Sequence, residues 1–200
     1  MAVCAALGCK LHTGWAMLVA VAGAPGDIQV LFRGRIELLP PDASVPRFVY
    51  HKAAELPLSQ AAALVKRAQE ASQKTAQLAI KDLLRDLDSR GARVSVAGVL
   101  SGSTPVPDDL SQIIRSHPLI HAAEGALFQQ AIVSACESCG LTVTSARERE
   151  VWSRAAAAWG LAEPGLRKEV DALRKSVGAP WSADHKTAAT IALLALTSNE

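Results

Sequence analysis

Two nearly unbroken apolar runs, residues 3–9 and 15–22, open the chain with only Lys10-Leu11-His12-Thr13-Gly14 between them. Runs this short read as strands buried on both faces, because a strand hidden from water on both sides needs no polar alternation. The intervening residues permit a turn, so the two form a hairpin. A hairpin of this kind must be covered above and below, which obliges the rest of the chain to supply helices. After the turn Gly23-Ala24-Pro25-Gly26-Asp27, residues 28–39 alternate imperfectly at Ile28, Val30, Phe32, Ile36 and Leu38, with Gly34 as a candidate bulge. Pro40-Pro41-Asp42 ends that strand, and a shorter strand is predicted at 47–51.

The period then changes. Ala61, Val65, Ala68, Ser72, Thr75, Ala79 and Leu83 recur at helical spacing and predict a helix over 59–90, capped by Ser59 and ended by Gly91. A strand follows at 92–100. A helix capped by Asp108 or Asp109 is interrupted at Ser116-His117-Pro118 and runs on to Cys139. A short strand at 141–144 precedes helices over 148–159, 166–177 and a last one to about residue 196. The order β-β-β-α-β-α-β-α predicts an α/β mixed sheet. An antiparallel meander comes first, and parallel strands are then added through right-handed crossovers, with helices on both faces. One domain spanning 1–200 is expected, its C-terminal helices 148–197 packing on the sheet.

Half of the residues are hydrophobic and the formal charge is +2. The first supplies a core. The second excludes a strong overall field for nucleic acid, so any such binding needs a local site. The apolar stretch 11–24 is about 14 residues, too short to span a bilayer. Ala22-Gly23-Ala24 imitates a cleavage site, yet the buried hairpin accounts for the same residues, and a cytoplasmic protein without membrane association is expected. Four cysteines are too few for a disulfide scaffold. Cys136-Glu137-Ser138-Cys139 has redox spacing but falls at a helix C-terminus, where the dipole disfavours a thiolate. Cys4 and Cys9 point to opposite faces of their strand, so no four-cysteine zinc site forms.

The hairpin Leu7-Gly8-Cys9-Lys10-Leu11-His12-Thr13-Gly14-Trp15 and the segment Trp181-Ser182-Ala183-Asp184-His185-Lys186-Thr187-Ala188-Ala189 lie at the two ends of this layout. With the element order, they resemble the ribonuclease H-like superfamily, which includes Holliday-junction resolvases and actin-like ATPases. The resemblance implies carboxylates on separate elements holding two divalent cations against a phosphodiester. This sequence departs from that pattern. Lys10 stands where the first strand should end in an acid, residues 1–26 contain no Asp or Glu, and Ala97, Gly98, Val99 and Leu100 supply no second acid. Asp184 alone matches. A divalent metal is therefore disfavoured, and the resemblance implies a degenerate member, a pseudo-nuclease.

Its fold would gather Lys10, Thr13, Ser101, Ser103 and Lys186 around an anionic ligand, a nucleotide or a nucleic-acid phosphate, in a cleft at Lys10 and Asp184. Lys10 ends a buried strand, where an ammonium needs a partner: either Asp184 or a bound anion satisfies it. A second reading is a hydrolase with His12, His121, Glu124 and Asp184 as a metal or acid–base centre, since His121 and Glu124 share a helical face. A third is a scaffold subunit using the alanine-rich helix 59–90 as its interface, with which a homodimer is compatible. His51-Lys52 with Glu55 either borders the cleft or is no more than a solvated strand end.

Overall fold

The computed structural model describes residues 2–42 and 44–198. Five strands form one sheet in the order β3-β2-β1-β4-β5. They are β1 (Val3–His12), β2 (Trp15–Ala24), β3 (Asp27–Glu37), β4 (Ala92–Ser101) and β5 (Thr142–Arg147). β1 pairs with β2, and β2 with β3, antiparallel; β1 with β4, and β4 with β5, run parallel. The mixed sheet expected from the change of period is present. The bulge in the meander lies at Leu31, where the β2–β3 register shifts, and not at Gly34.

Eight helices accompany the sheet among the described residues: α1 (Val49–Ala53), α2 (Leu58–Ser89), α3 (Leu110–Ile113), α4 (His117–Ser138), α5 (Glu148–Ala158), α6 (Glu163–Ala172), α7 (Arg174–Val177) and α8 (Ala183–Thr197). Strand periodicity sorts them into layers. Leu7, Cys9, Ala97 and Val99 join a core with α1, α2 and α4 on one face. Ala6, Val96 and Leu100 join α5, α6 and α8 on the other. None of the described helices is long and apolar enough to cross a membrane.

Several local expectations are corrected. Residues 49–53 are a short helix rather than a strand, because a buried carboxylate caps their N–H groups. Pro57, not Ser59, sits at the N-cap of α2, with no side-chain cap bond. The buried stripe of α2 passes through Ala76 and Ile80, which leaves Thr75 and Ala79 at its margin. The helix expected at 166–177 starts at Glu163 and breaks at Leu173 into α6 and α7.

α8 crosses β1, β2 and β4 at unusually close range. A Cβ on Gly8 would lie 1.9 Å from the Ala188 carbonyl oxygen, and one on Gly98 2.2 Å from that of Ile191. Gly8 and Gly98 are register partners. Two side-chain-free positions abreast therefore let the helix backbone settle onto the sheet, which fixes where the first turn of α8 lies relative to the end of β1.

Candidate functional site

The ends of β1, β4 and β5 lie side by side, the usual place for ligands in open α/β sheets. A cleft of about 510 Å³ opens there. Lys10, Ser101, Ser103, His121, Gln129 and Glu148 are among the residues that line it. Lys10, Ser101 and Ser103, expected around one anionic ligand, line this cavity, and so does His121, expected in the alternative acid–base centre. A larger cavity of about 740 Å³ between α2, α3 and α4 lies away from the strand ends and holds only Lys66 and Asp108 as charged lining.

The even-numbered side of β1 looks toward α5 and α8, which decides the partners of its polar end. Lys10 is 15% exposed, and its Nζ lies 2.6 Å from Glu148 Oε2 in the first turn of α5. The partner of Lys10 is therefore Glu148 and not Asp184. Asp184, in the first turn of α8, instead has His12 Nε2 3.1 Å from its Oδ2. That approach is out of line for a hydrogen bond, so His12 Nε2 is buried without a hydrogen-bond partner. The His12 ring stacks on Trp15 at 4.0 Å, and the Arg35 guanidinium covers the indole at 4.4 Å.

Thr13 and Lys186 do not line the cleft. The Thr13 carbonyl accepts from Arg47 Nε at 3.1 Å, and Lys186 pairs with Asp171 at 2.8 Å. Lys52 and Glu55 pair with each other on the surface. Trp181 is buried, and its indole N–H donates to the Val170 carbonyl at 2.8 Å.

The grouping of His12, His121, Glu124 and Asp184 as one centre is corrected by layering. His12 and Asp184 meet on the α8 side of the sheet, whereas α4 carries His121 and Glu124 on the opposite side. Glu124 is 2% exposed and is engaged in holding α1. Its carboxylate accepts from the N–H groups of Val49 (3.1 Å), Tyr50 (2.8 Å) and His51 (3.2 Å) and from His51 Nδ1 (3.2 Å). Burial first, then the Glu124 charge, push the Tyr50 hydroxyl above its ordinary pKa. His121 faces two further imidazoles, His51 and His117. His117 was missed in the sequence, although its spacing of four from His121 places both on one face of a helix.

The second titratable cluster on the α8 side is an N-cap. In a capping box, His185 Nδ1 accepts from the Ser182 backbone N–H (3.2 Å) and lies 2.7 Å from the Ser182 hydroxyl, which in turn accepts from the His185 backbone N–H. Burial, then the Arg33 charge, lower its pKa, and Asp184 partly offsets them. Cys9 and Cys136 are both fully buried against each other. The contact with Cys136 and burial push the Cys9 thiol well above its ordinary value, which makes it a core residue rather than a nucleophile.

The donor set does not fit two Mg²⁺ ions. Among the described residues lining the cleft, Glu148 is the only carboxylate, and it is bound to an ammonium. Gly8, Lys10, Gly98 and Leu100, on the α8-facing side of β1 and β4, supply no carboxylate.

No protein-family model and no curated protein matches the sequence. Solved structures do match. The chain is similar to RuvC of Thermus thermophilus, with 15% identity over 95% of this chain and 92% of that one, at a TM-score of 0.52. It is also similar to T. thermophilus RuvC solved in complex with a Holliday junction substrate, with 15% identity over 95% and 90%, at a TM-score of 0.53.

Proposed function

From the premise that this chain has the ribonuclease H-like fold of RuvC, we propose that it binds a nucleic-acid phosphodiester in the Lys10 cleft without two-metal cleavage. The observation that carries the reading is Lys10 itself, a cation at the end of the central strand, inside the cleft, where the resemblance requires an acid. Its counter-ion Glu148 is 59% exposed on the first turn of a helix, so a phosphate competes with it for the ammonium at little desolvation cost. The serine hydroxyls and backbone amides of the 101–104 loop border the same space, and Gln129 Oε1 accepts the Gly102 N–H at 3.4 Å. That RuvC has been solved with a Holliday junction makes branched DNA the first probe.

The test is fluorescence anisotropy of a labelled four-way DNA junction, with free mononucleotide as competitor, followed by gel analysis with Mg²⁺. Saturable binding at low salt, weak competition by the mononucleotide and intact strands are expected. Absence of binding at low salt, or strand cleavage dependent on Mg²⁺, overturns the reading. Full displacement by mononucleotide replaces the polymer with a small nucleotide.

The scaffold alternative gains nothing from α2. Its apolar stripe is spent on α4, α1 and β4, which leaves Leu58 and Leu78 as the exposed large apolar residues of that helix among those described.

A further inference from the structure

The anion reading leaves unused the three imidazoles at the other side of the cleft wall. His51, in α1, and His117 and His121, one turn apart on α4, each offer one ligand nitrogen, and these atoms lie within 4.8 Å of one another. The His117 and His121 Nε2 atoms are 3.3 Å apart. For metal–nitrogen bonds of about 2.0–2.1 Å, the edge of a ligand tetrahedron is about 3.3–3.4 Å. This pair is therefore already at the separation that one bound cation imposes. The ring centroids of His51 lie 5.8 Å from His117 and 4.9 Å from His121, both edge-on, so the third ring closes the group rather than stacking beside it.

Glu124 gives the cluster direction. A carboxylate only accepts, so the 3.2 Å contact makes His51 Nδ1 the donor, and in the neutral tautomer that satisfies it the ligand lone pair is on Nε2. The carboxylate cannot swing away, because three backbone N–H groups hold it while it is buried. A fixed carboxylate orienting a ligand imidazole is the outer shell typical of metal sites. His117 and His121 are exposed and His51 is half-buried, which gives a cation a route in and leaves a fourth coordination position facing water. Three neutral imidazoles suit borderline transition-metal dications, whereas Mg²⁺ and Ca²⁺ prefer oxygen.

We propose that His51, His117 and His121 form a transition-metal site for a Zn²⁺-class dication, with Glu124 as the positioning residue and one coordination position open. The site stands independently of the phosphate reading. Because His121 also lines the cleft, its bound cation lies at the cleft's rim.

The experiment uses the full chain without a polyhistidine tag, stripped by chelator and titrated calorimetrically with Zn²⁺ and by visible absorption with Co²⁺. Binding of one equivalent is expected. His117→Ala and His121→Ala, both at exposed positions, are each expected to weaken binding by at least about tenfold, and Glu124→Gln by about ten- to a hundredfold. Circular dichroism of the apo variants is expected to match the parent's, which separates loss of metal binding from loss of fold. Lys10→Ala is expected to bind metal as the parent does, which separates this site from the anion cleft. Failure of the parent chain to bind Zn²⁺ or Co²⁺ stoichiometrically, or parental affinity in His121→Ala, overturns the proposal.

Discussion

Replacing Glu124 by alanine tests how α1 is held. The carboxylate is the sole partner shown for the Val49 and Tyr50 N–H groups, and both contacts are buried. A buried donor left unsatisfied costs about 1–3 kcal/mol, and bonds to a charged acceptor lie toward the upper end. The His51 N–H and Nδ1 contacts are partly solvated and add less. A loss of about 3–5 kcal/mol follows, comparable to breaking a buried ion pair. With a urea m-value of about 2.5 kcal/mol/M, the unfolding midpoint is expected to fall by about 1.2–2 M. Amide exchange at residues 49–51 should rise ahead of global unfolding. Glu124→Gln, which keeps one acceptor oxygen, should lose less. A loss below about 1 kcal/mol, with unchanged exchange at those amides, refutes the account of α1.

Gly98→Ala puts a methyl 2.2 Å from a backbone oxygen of α8 that cannot rotate away, so it should cost about 3 kcal/mol or more, measured by denaturant titration. His185 has a lowered folded pKa, so the folded chain resists the proton that the unfolded chain takes up below about pH 6.5. Stability is therefore complete above that pH and is lost as pH falls toward the folded value, no more steeply than about 1.4 kcal/mol per unit for one proton. His185→Gln preserves the capping pattern and should flatten Tm between pH 7.5 and 5.5, as read by thermal melts at about half-unit steps.

The sheet was legible because its code is local. Two short apolar runs, a third alternating strand and a switch to helical spacing indicate which segments are strands and their succession along the chain without any knowledge of contacts. The helix at 49–53 was not legible, since the residue that caps it lies more than seventy positions away in the chain. The same reason separates Lys10 from its expected partner. Alternation puts Lys10 and His12 on one face of β1, but which helix start covers which residue depends on how closely α8 approaches Gly8 and Gly98. The outcome is Glu148 over Lys10 and Asp184 over His12. Layering likewise decided the catalytic candidates: His121 and Glu124 do share a helical face, but Glu124 turns inward to α1 while His121 meets His117 and His51. The spacing of the two α4 histidines was visible in the sequence, whereas the third imidazole was supplied by the tertiary fold.

The central claim, that Lys10 receives a nucleic-acid phosphate, is tested most directly by the salt dependence of four-way junction binding for the parent chain and Lys10→Ala. Loss of one phosphate contact should weaken binding similarly across DNA sequences and reduce the slope of log K against log salt by about 1. An unchanged slope and affinity in Lys10→Ala would contradict it.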